Sequence, residues 1–501
     1  MGRLRNGVGV GISNIPTLSS RRPFSPLSLF ADGSQGVWYD DSLTSSMFQN
    51  CSFLPAALES PIGCQLDLSK NLEISAELIT PAANRDFSSD TGYWTKQNAG
   101  ITISGGTCNF IAVPAGFALS QASFATAGLV YDITFTISAI SGGAIRAIAG
   151  SALTTTTAYS VAGTYTQRLC TVAGSNFGIS SATSATTATI TSISIKQVLG
   201  NHRFQSTDAN RPILSARYNL LLATATLSTQ NITTVATSYT IYFTGTGTVT
   251  LSGTFVGVFS AGTNTFTATA GTLTATVVGS VLTADIRPTN QTTTLPAYQA
   301  VVTSSSYDTV GFPQYLKYNG SNSSLSTASI NFTATAQMSA FAGVRKIGAN
   351  AATSIGMVAE LSNQCGVNAG SFLLSEGGVI SYGNKYGCAL QGSTLIYSDS
   401  ATSWTPPITN TLSTLMNISA ATPALQQILN INGVQQSVTQ AGSSAGTGNF
   451  GNYAMYFGAR AGTSLFTNGY EFQTIIVGKT LTATEIANTE SFVNSKTKAY
   501  A

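Results

Sequence analysis

Beyond residue 70, apolar and polar side chains alternate with a period of two along much of the chain. Tyr131, Ile133, Phe135 and Ile137 alternate with Asp132, Thr134, Thr136 and Ser138, the pattern of a strand with one face buried and the other wet. Ile193 and Ile195 alternate with Ser194 and Lys196, and Tyr239, Ile241 and Phe243 repeat the pattern. So do Leu273, Ala275 and Val277, then Tyr453, Met455 and Phe457, and last Tyr470, Phe472, Thr474 and Ile476. Glycine turns such as Gly142-Gly143 and Gly245-Thr-Gly247 break the runs at short intervals. This pattern predicts an all-β fold of multiple antiparallel β-sandwich or jelly-roll modules. Residues 130–198 and 238–287 also read as two copies of one sandwich plan, the second smaller.

One helix is predicted, at the C-terminal end. Thr482-Ala-Thr-Glu485 is a capping box, in which the threonine oxygen and the glutamate each satisfy an end amide. Ile486, Glu490 and Val493 then share one side, and Lys496 to Lys498 place cations where the helix dipole favours them.

Composition narrows the class. A chain of 501 residues is long enough for two to four modules. Charged residues are 8% of the chain, against roughly a quarter in average soluble domains. Mean hydropathy is nevertheless only +0.19, because Thr, Ser, Ala and Gly replace the missing charge. Such weakly polar surface suits burial against partner subunits or symmetry mates, which points to a homo-oligomer. A net charge of +3 is too mild to argue nucleic-acid binding. No run of 18 apolar residues suggests a membrane span.

Six cysteines in this length do not make a disulfide scaffold. Cys51 with Cys64, or Cys365 with Cys388, lie close enough in sequence to pair across neighbouring strands. A chain folded in a reducing cytoplasm is expected instead to keep six reduced, mostly buried thiols. No CxxC pair occurs and His202 is the sole histidine, so neither a zinc site nor any other metal or cofactor is expected.

Residues 1–32 read as an extended N-terminal arm. Arg3, Arg5, Arg21 and Arg22 carry its charge with no acid before Asp32, and scattered Gly and Pro prevent regular structure. An arm so poor in self-packing residues is most easily ordered by a neighbour, so it reads as a docking strap. Basic residues near Met1 are followed by no apolar stretch, so no secretory signal is expected.

Several short segments carry a family resemblance. Gly36-Val-Trp-Tyr-Asp-Asp-Ser-Leu-Thr-Ser-Ser-Met-Phe-Gln49 resembles the opening of bacteriophage virion proteins with a concanavalin A-like (laminin-G-like) lectin sandwich. Tyr315 to Leu325 is similar to that family's next strand and turn, and Phe341 to Lys346 to its central strand. Gly458 to Ser464 and Thr482 to Lys498 resemble its closing strand and terminal helix. In such domains a segment like Leu66-Asp-Leu-Ser69 leads directly into one like Gly200-Asn-His202 and then Arg211-Pro212. Here long stretches separate them. The resemblance therefore implies a discontinuous lectin-like sandwich built from 33–70, 200–214 and 311–501. Residues 71–199 and 215–310 would be two inserted sandwiches. Glu77-Leu-Ile, Asp86-Phe87 and Gly92-Tyr-Trp-Thr95 make the first insert similar to carbohydrate-binding-module jelly rolls.

The resemblance implies a protein made in the host cytoplasm and located in a tailed-phage virion. It would be a tail fibre or appendage, attached to tail or connector proteins by its arm and contacting host-surface glycan. A head decoration or head-fibre protein that binds the capsid is the first alternative; a glycan depolymerase is the second. Hydrolysis needs two carboxylates at fixed separation, and Glu360, Glu376, Asp399 and Glu471 are the candidates, Glu360 with Glu376 foremost. None lies in a catalytic motif, and His202 in Gly-Asn-His-Arg-Phe matches a structural turn, so no catalytic residue is assigned and no enzyme is expected. The turn Asn319-Gly-Ser-Asn-Ser-Ser324 lacks the carboxylates that calcium favours. Glycan contact would use exposed aromatics: Trp404 in a Pro-flanked loop, and Tyr382 and Tyr386 on either side of Asn384 and Lys385. Trp38 and Trp94 are expected to fill sandwich cores.

Overall fold

The computed structural model describes residues 24–122, 125–150, 157–171, 176–183, 185–216, 218–289, 298–301, 314–348 and 354–500. The fold is all-β, with antiparallel strands in five sheets. Arg3, Arg5, Arg21 and Arg22 lie outside the described residues.

An eight-stranded and a ten-stranded sheet form the largest sandwich, and their strands come from three stretches of chain. Gly36–Asp40, Met47–Phe48 and Cys64–Gln65 come first, Arg203–Phe204 and Ile213–Ser215 second, and every strand from Tyr315–Asn319 to Asn468–Val477 third. Asn468–Val477 is the hub of the eight-stranded sheet. It pairs with Tyr315–Asn319 and Gly36–Asp40 on one flank and with Gln337–Lys346 on the other. Val37, Tyr39, Leu316, Phe372, Phe457 and Ile476 are fully buried between the sheets.

The helix Ala483–Thr497 covers the outer face of the eight-stranded sheet through Val493, Ile486 and Phe492, against Phe341, Ile475 and Val477. That cover explains why Gln337–Lys346 and Asn468–Val477 are buried almost throughout and lose the two-residue alternation. The helix sits so close that a Cβ on Gly343 would come 2.0 Å from Thr497 Oγ1. Its capping box is complete: Glu485 N–H donates to Thr482 Oγ1, and the Thr482 N–H donates to Glu485 Oε2 at 2.8 Å.

Residues 95–198 make a second sandwich. A five-stranded sheet, with Val130–Gly142 and Thr186–Val198 at its centre, faces a four-stranded one. Tyr131, Ile133, Phe135 and Ile137 are buried as their alternation requires, together with Trp94. Residues 230–288 hold the remaining strands in one five-stranded sheet, where a pair of sheets was expected. Its 17-residue strand Thr237–Gly253 shifts register between Phe243 and Thr248. It pairs first with Val281–Pro288 and then with Gly271–Val278, so one bent strand serves both halves around a common core.

The connectors that lead into and out of the second sandwich pair with each other. Ser75 N–H donates to Gln197 O (2.9 Å), and Leu199 N–H to Glu73 O (2.7 Å). Packed against this neck, a disulfide joins Cys51 to Cys170 beside Leu66, Val130 and Val198. This corrects the expectation of six free thiols and of pairing between near neighbours in sequence. The bonded partners are 119 residues apart, because the sheets bring remote segments together. Cys64, Cys108, Cys365 and Cys388 are free and buried.

Replacing Thr482 by Ala removes a helix cap. The expected cost is about 1 kcal/mol of sandwich stability, read as a lowered denaturant midpoint with an unchanged slope.

Candidate functional site

Each candidate carboxylate has a definite environment. Glu360 is buried, and Arg460 grips it through Nε (3.1 and 3.0 Å) and Nη2 (2.9 Å). It also accepts the Cys365 N–H at 2.8 Å, so it anchors a loop. Glu376 lies across the ladder from Gly356, and Glu360 from Leu373. At ~3.3 Å per residue the backbone positions of the two glutamates stand roughly 10–13 Å apart along the sheet.

Glu471 belongs to a different structure, a buried cluster around Arg203. The guanidinium donates from Nη1 to both Glu471 oxygens (2.8 and 3.0 Å) and from Nη2 to Asp41 Oδ1 (3.1 Å). Gln65 Oε1 accepts from Nε and Nη2, and the rings of Tyr39 and Phe457 lie within 5 Å of the guanidinium carbon. Burial pushes the Asp41 carboxyl well above the usual range, with the nearby Glu471 charge adding to it. Next to this cluster His202 accepts the Asp67 N–H on Nδ1 (3.0 Å) and contacts Val198 O through Nε2 (3.0 Å). Its ring is thus the neutral tautomer with hydrogen on Nε2, and burial lowers its pKa. This matches a structural turn and leaves no nitrogen for a catalytic partner.

Glu376 and Glu471 both line a void of about 10 Å³ with Tyr318, Thr467 and Tyr470. That is room for one water, far too little for a sugar. Burial raises the Glu376 carboxyl to about 8, opposed by the Lys346 ammonium. Lys346 Nζ in turn donates to Gly383 O at 3.3 Å, which ties the pair to the hairpin above it.

Asp399 builds that hairpin, at whose tip Ser381 and Tyr382 are exposed. Asp399 Oδ1 accepts the Val379 N–H (2.6 Å), while Oδ2 accepts the N–H groups of Ile380 (3.0 Å) and Ser381 (2.8 Å) and the Ser381 hydroxyl (2.9 Å). Gly378 makes room for the carboxylate, since a Cβ there would lie 2.4 Å from Oδ2. The clamp holds Tyr382 with φ of +49°, rare for a bulky residue, and leaves its side chain 38% exposed where the strand Tyr382–Gln391 begins.

The other two aromatic candidates lie beneath. Tyr386 is fully buried, and its hydroxyl accepts from Asn410 Nδ2 at 3.0 Å. It offers no face to a ligand, which corrects its assignment as a glycan contact. Trp404 is half-buried against Tyr386, ring centroids 6.3 Å apart, and its indole N–H is sealed from solvent. The Trp404 amide donates to Asn384 O at 2.5 Å, so Trp404 wedges the loop against the hairpin. Of the three, Tyr382 alone is exposed. The Asp399 clamp was missed because nothing local marks a carboxylate whose partners lie some twenty residues earlier; the glycines at 378 and 387 were the available signal.

In the turn after Tyr315–Asn319, Asn319 Oδ1 accepts the amides of Ser321, Asn322 and Ser323 at 3.0–3.2 Å. Among the described residues no group of three or more His, Cys, Asp or Glu side chains is placed to hold a metal ion.

No family model and no curated protein matches the chain. Solved structures that match part of the chain include the botulinum neurotoxin type G receptor-binding domain, 14% identical, with a TM-score of 0.25 over 36% of this chain and 42% of that one. A second is the carbohydrate-binding module, CBM40, of the Ruminococcus gnavus IT-sialidase bound to α2,3-sialyllactose: 16% identical, TM-score 0.23, 30% of this chain and 82% of that one. A third is the Trypanosoma rangeli sialidase in complex with the inhibitor DANA: 13% identical, TM-score 0.25, 36% of this chain and 27% of that one. The chain thus spans less than half of the toxin domain.

Two variants test the interior chemistry. Arg203→Ala strands Asp41 and Glu471 without their counter-charge and is expected to cost about 3–5 kcal/mol of stability, measured by denaturant unfolding. For Glu376 the folded pKa of about 8 exceeds the ordinary 4.5. Its contribution to stability is therefore whole below pH 4.5 and is lost as pH rises through about 8. Glu376→Gln is expected to remove that slope from a pH series of unfolding midpoints.

Proposed function

We propose that the chain is a non-enzymatic attachment protein of a tailed-phage virion, a tail fibre or appendage that contacts host-surface glycan through the Tyr382 hairpin. The observation that carries the glycan reading is the Asp399 clamp. Four hydrogen bonds from three successive residues hold a short hairpin in one geometry and present one aromatic side chain to solvent. An aromatic carried on a backbone held in advance adds no loop-ordering cost when a sugar ring stacks on it. Thr402 and Ser403 in the neighbouring loop are exposed and supply hydroxyls.

The non-enzymatic reading is supported by the fate of the candidate acids. Arg460 occupies Glu360, Arg203 occupies Glu471, backbone amides occupy Asp399, and Glu376 faces a void too small for a sugar. A single exposed tyrosine binds weakly, so the mechanism is avidity: several copies on one particle sum individually weak contacts. The virion setting rests on the segments resembling phage lectin-like proteins, with the basic arm as the attachment to tail, connector or capsid proteins.

Tyr382→Ala is expected to weaken each contact by about 1 kcal/mol, roughly fivefold, and retention of particles on host cells by more. Tyr386→Phe, altering only a buried hydroxyl, is expected to leave retention unchanged. Equal retention by Tyr382→Ala and the parent overturns the glycan reading. Mass spectrometry of tails separated from heads tests the setting: absence of the chain from tails rejects the tail assignment.

A further inference from the structure

The edges of the five sheets differ in one respect. A sheet edge presents unpaired backbone N–H and C=O groups, and proteins blunt such edges with short strands, charges or proline. Most outer strands on the sheet paths here run two to five residues. The eight-residue Gly163–Cys170 is longer but carries Arg168, paired with Asp132 at 2.7 Å. Gly257–Ala268 is the exception, with 12 residues, no charge and no proline. It pairs along one side with Thr237–Gly253, and among the described residues no strand pairs with its other side.

The strand bends once, at Gly262, where φ is +111°. Asn264 Nδ2 spans the bend and donates to Ser260 O at 3.2 Å. The regular arm beyond it, Thr263–Ala268, buries Phe266 and Ala268 and exposes Thr263, Thr265 and Thr267. Near the other end of the strand, Val256 and Val258 are 77% and 66% exposed.

We propose that this edge is a self-association site, at which Thr263–Ala268 pairs antiparallel with the same segment of a second copy. The arm favours its own copy as occupant. Its exposed side chains are threonines without charge, so identical strands meet across a two-fold axis with no like-charge repulsion. The backbone donors and acceptors of one edge are met by those of the other. The proposal goes beyond the glycan reading and is independent of it, since Tyr382 lies on a different sheet.

Light scattering across a concentration series tests it on the full chain. The parent is expected to approach twice the chain mass of 51.7 kDa. Thr263→Lys with Thr265→Lys places like charges across the two-fold and is expected to raise the dimer dissociation constant at least tenfold, with unchanged circular dichroism because both sites are exposed. Thr263→Glu with Thr265→Glu is expected to do the same. An equimolar mixture of the Lys and Glu chains is expected to associate again, which loss of folding would not allow. A parent that stays monomeric, an oligomer that survives the lysines, or a mixture that fails to re-associate overturns the proposal.

Discussion

A guanidinium enclosed between two sheets has to be neutralised by groups that arrive from elsewhere in the chain, and around Arg203 they arrive from both ends. Asp41 and Gln65 come from the first stretch, Arg203 from the second, and Tyr318 and Glu471 from the third. Taking these charges out of water is costly unless the geometry is met in full. A shift of one residue in any of the contributing strands would turn a charged partner to the other face of its sheet. The cluster therefore selects the register of the sandwich more than it adds net stability. Beside it, the Asp67 carboxylate accepts the amides of Trp38, Ser69 and Asn201 and fastens the first two stretches together.

Such a frame leaves the loops free to differ. The hairpin at Tyr382 stands on the same sandwich but depends on a second carboxylate, Asp399, whose bonds are all to one turn. Register and presentation are thus handled by different residues. A change at the hairpin need not disturb Arg203.

The fold class could be read because strand alternation and the Thr482 capping box are local. Tyr131 to Ile137 point inward as their spacing requires, and the helix begins where its cap residues stand. The alternation faded at Gln337–Lys346 because a helix covers the outer face, which no strand reveals about itself. Period also assigns a face but no depth. Tyr382 and Tyr386 are four apart and share a strand, yet one stands at its exposed start and the other in the packed interior. The pairs Cys51 with Cys170, Glu360 with Arg460 and Arg203 with Glu471 are separated by 119, 100 and 268 residues, so each depends on the finished topology. Of the candidate site, one aromatic was legible and the clamp that orients it was not.

The neck between Glu73 to Ser75 and Gln197 to Leu199 has a mechanical meaning as well. A load pulling the second sandwich away runs along both connectors at once, and the hydrogen bonds between them keep the two chains side by side. The Cys51–Cys170 bond, packed against Val198 of the neck, adds a third covalent tie into the large sandwich. With three covalent ties in place, the inserted unit behaves as a braced strut where the two connectors alone would act as a hinge.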